Sequence, residues 1–129
     1  MNGGYLLDTN ILIAFFRADL VVRDKVNSTE QVYVPIVAIA ELYYGVMASH
    51  SVAKNVERVD NLIAGAAVVE CDLSTAREYG TIKQELRSAG TPIPDNDIWI
   101  AAVARQHGLI LVSRDAHFAA ITGLTVEGW

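Results

Sequence analysis

The sequence predicts an α/β protein, a three-layer α/β/α sandwich around a mainly parallel sheet of about five strands. Three observations predict it. Short apolar runs alternate along the whole chain with segments of helical spacing, and parallel strands are the ones that need crossover helices between them. The chain has 129 residues, 52% of them hydrophobic and 19% charged, which suffices for one core and not two, so residues 1–129 read as a single domain. The run Leu109-Ile110-Leu111-Val112 is almost continuously apolar, as a strand covered on both faces requires.

Each element follows in order. Tyr5-Leu6-Leu7 reads as the first strand, and Asp8-Thr9-Asn10 supplies capping side chains for a helix over 11–17. A short helix over 20–26 comes next. Val32-Tyr33-Val34 is a second strand ended by Pro35, a residue suited to the first turn of a helix, here 36–47. Val52, Val56, Val59 and Ile63 recur at helical intervals until Gly65. Ala66-Ala67-Val68-Val69 is the third strand, and Asp72 and Ser74 cap a helix bearing Tyr79, Ile82 and Leu86 that stops near Gly90. After a turn over 91–94, Asp95 caps a helix to His107, and Gly108 separates it from the strand at 109–112. Ser113-Arg114-Asp115 is an acidic turn, Phe118 and Ala119 give one more helical turn, and Leu124-Thr125-Val126 is an edge strand.

No apolar run approaches the ~20 residues that cross a bilayer, and the opening residues lack a basic stretch followed by an apolar one, so membrane and secreted classes are excluded. Cys71 stands alone, which rules out an internal disulfide and a thiolate zinc site and agrees with a buried, inert thiol in a reducing cytoplasm. The net charge of −5 argues against a surface that is basic throughout.

The acids, however, are not spread at random. In parallel sheets the strand carboxyl ends point one way and ligands bind there. Asp8 follows the first strand and Asp115 follows the strand ending at Val112, while Asp97 lies in the first turn of the helix between Pro94 and Gly108. Taken singly, Asp8 is worth ~1 kcal/mol as a cap, and Asp97 and Asp115 ~0.3–1 kcal/mol each near a helix start. Glu41 differs. Val37, Ala38, Ile39, Ala40, Leu42, Tyr43 and Tyr44 surround it, so it is expected to be buried, and neither Arg17 nor Lys54 stands at helical contact spacing to neutralise it.

Unpaired burial costs several kcal/mol, a cost that a bound cation removes. Oxygen donors suit Mg²⁺ or Mn²⁺, and one or two such ions imply phosphoryl transfer or hydrolysis. Of the 15 acidic residues, setting these four aside leaves 11 against 10 basic ones, a nearly neutral remainder. Arg114, beside Asp115, and the pair Lys83 and Arg87 are candidate phosphate contacts. His50, His107 and His117 read as solvated or capping residues, so no histidine-based nuclease is expected. Neither a Gly-x-Ser-x-Gly turn nor a Gly-rich phosphate loop occurs.

The order Leu6-Leu7-Asp8-Thr9-Asn10, Ala40-Glu41-Leu42 with Tyr44-Gly45, Ile93-Pro94-Asp95-Asn96-Asp97 with Ile100-Ala101-Ala102, and Leu111-Val112-Ser113-Arg114-Asp115 with Phe118 resembles the PIN domain, and within it the VapC-type toxins of prokaryotic toxin–antitoxin pairs. The resemblance covers essentially the whole chain. It implies a Mg²⁺- or Mn²⁺-dependent endoribonuclease with Asp8, Glu41, Asp97 and Asp115 as its acidic quartet. Asn10 and Ser113 match the polar positions that support it, with Thr9 and Asn96 beside the acids; Ser113 stands where Thr is frequent, and Asp95 is an additional carboxylate. The resemblance further implies a homodimer, RNA as substrate, and an antitoxin whose carboxy-terminal segment occupies an apolar groove and places a basic side chain among the acids. Phe15, Phe16, Tyr43 and Tyr44 are either groove or core.

Three other readings are weaker. A haloacid-dehalogenase-like phosphatase has a second acid two residues after the first, where this chain has Asn10. A receiver domain needs paired acids and a downstream Lys. An inert PIN scaffold used for binding would have lost an acid.

Overall fold

A computed structural model describes residue 1 and residues 3–129. The elements are β1 (Tyr5–Leu7), α1 (Thr9–Phe16), α2 (Leu20–Ser28), β2 (Val32–Pro35), α3 (Ile36–Met47), α4 (Val52–Ala64), β3 (Ala67–Val69), α5 (Leu73–Ala89), α6 (Asp95–His107), β4 (Ile110–Val112), a short 3-10 helix (Ala116–Ala120) and β5 (Val126–Glu127). The five strands form one sheet in the order β3-β2-β1-β4-β5, and every pairing is parallel. Right-handed crossovers then put α1 to α4 on one face and α5 with α6 on the other, which gives three layers.

The core follows from the apolar runs. Leu6, Leu7, Leu111 and Val112 in the two central strands are buried, with Ile11 and Leu12 of α1 on one side and Ile82 and Leu86 of α5 on the other. Helix α6 is buried over five consecutive residues, Ile100 to Ala104, because it packs against α5 as well as β4. Three of those five are alanines, whose small side chains let the neighbouring backbones approach. Gly108 ends α6 in the left-handed region at φ 63°, a conformation that costs glycine nothing. Gly4, just before β1, has no room for a side chain: a Cβ there would sit 2.8 Å from both the Gln31 carbonyl oxygen and the Tyr33 ring.

Three sequence expectations shift. Asp95 is not the cap of α6; Pro94 holds that position without a side-chain bond, and the Asp95 carboxylate instead accepts from Tyr79 Oη and Lys83 Nζ on α5, each at 3.0 Å. Pro35 is the cap of α3 rather than part of its first turn. The edge strand starts at Val126, not Leu124, because the β4 ladder fixes its register: Leu111 pairs with Val126 and Val112 with Glu127.

Candidate metal centre at the switch point of the sheet

Strand order reverses between β1 and β4, and that switch point is where open parallel sheets leave a crevice at their carboxyl ends. Leu7 pairs with Val112, so the next residues, Asp8 and Ser113, come together. Ser113 Oγ donates to Asp8 Oδ2 at 2.7 Å. The same oxygen accepts from Asn10 Nδ2 at 3.3 Å and from the Asp115 amide at 3.0 Å, so one hydroxyl ties the two acidic turns together.

Asp8 caps α1 through its Oδ1, which accepts from the Thr9 amide at 2.8 Å. Its side chain is buried, with the residue only 4% exposed, and burial pushes its pKa up to about 6 against the hydrogen bonds from Ser113 and Thr9; the negative charges of Asp97 and Glu41 push the same way. Glu41 is held at this point by Thr9 Oγ1, which donates to its Oε1 at 2.8 Å. Asp97 and Asp115 meet across His117: Nδ1 lies 3.0 Å from Asp97 Oδ2 and 3.1 Å from Asp115 Oδ1. Burial raises the Asp97 pKa and the Asp115 charge adds to it, while the contact with His117 lowers it. That contact in turn raises the His117 pKa. Asp115 also caps the 3-10 helix, accepting from the His117 amide at 2.9 Å.

Residues 5–124 match the sequence profile of the PIN domain. The chain belongs to the PIN domain family. It is 35% identical over 128 residues to Ribonuclease VapC2 of Haemophilus influenzae, with 97% of each chain covered. It is 30% identical to the tRNA(fMet)-specific endonuclease VapC of Shigella flexneri, again with 97% of each covered. The solved DNA-bound VapBC from Salmonella typhimurium matches with a TM-score of 0.93 at 29% identity over 98% of both chains.

In this PIN domain the burial expected of Glu41 falls instead on Asp8. Glu41 is half-buried because only one stripe of α3, Ala38, Ile39 and Leu42, faces the core. Of the remaining apolar neighbours, Val37, Ala40 and Tyr44 line an open groove with Thr9, Asn96 and Trp99, and Tyr44 is 81% exposed. Asn96 therefore stands in the groove wall. A second groove also reaches Glu41, lined by Ile13, Phe16, Leu42, Val46 and Val59. Phe16 and Tyr44 are thus groove residues. Tyr43 braces α3 against α4 by donating its hydroxyl to Asp60, and Phe15 packs partly on the core beneath the Arg23 guanidinium.

Two of the three expected phosphate contacts, Arg114 and Lys83, are engaged within the chain. Arg114 Nε donates to the Trp129 carbonyl and its Nη2 to Asp19 Oδ2, both at 2.9 Å, and Lys83 is paired with Asp95. Arg87 is exposed. His117 is the site residue that the sequence reading set aside. Its place two residues after Asp115 was the available signal, but its alignment with Asp97 exists only through space. Among the described residues, no ion pair joins a lysine or arginine to any of the four acids. No helix is long and apolar enough to cross a membrane.

Proposed function

We propose that this PIN domain is a divalent-metal-dependent endoribonuclease, the toxin of a VapBC-type toxin–antitoxin pair, in which Asp8, Glu41, Asp97 and Asp115 hold one or two Mg²⁺ or Mn²⁺ ions. The observation that carries this reading is the buried Asp8 carboxylate, which faces Asp97 and Glu41 and receives only neutral donors. A site of mutually repelling oxygens without a guanidinium or ammonium group fits a hard cation. When bound, such an ion neutralises charge on a phosphodiester and acidifies the water that attacks it. The chain's own residues set the geometry: Ser113 and the Thr9 amide fix the two oxygens of Asp8, Thr9 Oγ1 orients Glu41, and the start of α6 presents Asp97.

The names of the relatives support RNA as the substrate, and the toxin–antitoxin complex among the solved structures supports an antitoxin partner. The two grooves that meet at Glu41 fit an apolar peptide segment ending in a basic side chain. A homodimer is part of the same reading, and so is a cytoplasmic location. The phosphatase alternative is further weakened by Asn10, whose amide is spent on Ser113 Oγ and on accepting from the Arg114 amide at 3.3 Å. The inert scaffold is disfavoured because all four acids are present.

The test is incubation with total RNA and Mg²⁺ or Mn²⁺, with cut sites mapped by end sequencing and with Asp97→Asn and chelator-treated protein as controls. Cleavage is expected in the metal-loaded wild type alone. Undiminished cleavage after chelation would overturn the reading.

A further inference from the structure

We propose that His117 is a nitrogen ligand of the ion bound between Asp97 and Asp115, and that it tips this centre towards Mn²⁺ and later first-row ions over Mg²⁺. The inference rests on the metal-dependent reading above and adds to it a donor of a different chemical kind.

The spacing is the first argument. An octahedral ion with bonds of about 2.1 Å holds neighbouring ligand atoms about 3.0 Å apart. His117 Nδ1 lies 3.0 Å from Asp97 Oδ2 and 3.1 Å from Asp115 Oδ1, and one donor atom from each of the three residues falls within 4.8 Å of the others. The imidazole nitrogen therefore lies from each carboxylate oxygen at the separation that adjacent ligands of one ion adopt.

The second argument is that local structure holds the ring there. Asp115 caps the 3-10 helix through the His117 amide, which fixes the backbone of residue 117 relative to the carboxylate beside it. The next residue, Phe118, is fully buried and anchors the turn in the core. With Phe118 pinned inward, its neighbour projects outward on the side of the acids, and its side chain is 49% exposed, open to an arriving ion.

The third argument is chemical. Mg²⁺ takes oxygen ligands and gives up water reluctantly, whereas imidazole binds transition ions more strongly, in an order that rises from Mn²⁺ through Co²⁺. Four carboxylates alone would leave Mg²⁺ and Mn²⁺ nearly equivalent. Replacing one water by an imidazole separates them.

Isothermal titration of the metal-free full chain with Mg²⁺, Mn²⁺ and Co²⁺ tests this, using wild type, His117→Ala, His117→Gln and Asp97→Asn, with circular dichroism to verify the fold and the visible absorption of Co²⁺ as a direct report of nitrogen ligation. The expected result is that His117→Ala weakens Mn²⁺ binding about tenfold and Co²⁺ binding further, changes Mg²⁺ binding little, and alters the Co²⁺ spectrum. Equal losses for the three ions, no loss, or tighter binding in His117→Ala would overturn the proposal, the last by showing that the ring merely competes with the ion. If Asp97→Asn abolishes binding while His117→Ala leaves all three affinities and the Co²⁺ spectrum unchanged, the ligand role of His117 fails and the metal-dependent reading survives. If the wild type binds none of the ions, both fail.

Discussion

Asp8 pays for its position in stability. Its carboxyl titrates near 6 rather than at the ordinary 3.8, a displacement equivalent to about 3 kcal/mol. Because the folded state holds this proton more tightly than the unfolded one, the stability Asp8 contributes is greatest below about pH 4, falls as the pH climbs to about 6, and stays lost above that. In chelated samples Asp8→Asn is therefore expected to be more stable than the wild type at pH 8, by roughly 2–3 kcal/mol, with the gap closing towards pH 4. Urea unfolding at the two pH values measures this, and a wild type as stable as the variant at pH 8 would refute it. The same substitution is expected to abolish RNA cleavage. Ser113 makes a complementary case. Its hydroxyl serves Asp8, Asn10 and Asp115 together, so Ser113→Ala is expected to cost about 1–3 kcal/mol and 10- to 100-fold in metal affinity. Ser113→Thr keeps the hydroxyl and is expected to retain both. Calorimetry of Mn²⁺ binding distinguishes the two variants.

At the scale of elements, the acids are carried by backbone pieces whose placement depends on packing. Helix α6 brings Asp97 to the crevice because Ile100 to Ala104 are all buried. Ala101→Leu adds volume where the residue is fully enclosed and is expected to cost about 1–3 kcal/mol. The helix shift it forces should also weaken Mn²⁺ binding, and thermal unfolding with the same titration checks both. Strand and helix positions were legible in the sequence because apolar runs and caps are local signals: Asp8 and Asp72 both cap the helices read from them. Asp95 misled because a carboxylate at a helix start looks like a cap, although Lys83 and Tyr79 on a neighbouring helix claim it. Glu41 misled for a related reason. An apolar neighbourhood on a helix does not say whether those side chains face a core or a groove, and α3 does both. The two acids that follow strands were legible by position, whereas the bridge between Asp97 and Asp115 through His117 joins residues 20 apart in sequence and has no local signature.

For the whole molecule, the net charge of −5 and an RNA substrate are compatible because the site acids account for most of the imbalance, and a bound cation reverses their effect on an approaching phosphate. The toxin role adds a cellular expectation: expression of this chain alone arrests growth, and co-expression of the product of an adjacent small reading frame restores it. Growth curves with verified active protein decide the matter, and harmless expression would count against the toxin role while sparing the nuclease. The strand order has a consequence for biosynthesis. β1 is made early yet must wait beside an empty edge until β4 arrives, and the carboxylate at position 115 trails that strand. A chain still being synthesised therefore holds only a partial set of carboxylates, and whatever that set does once joined must wait until β4 and the turn behind it have emerged from the ribosome.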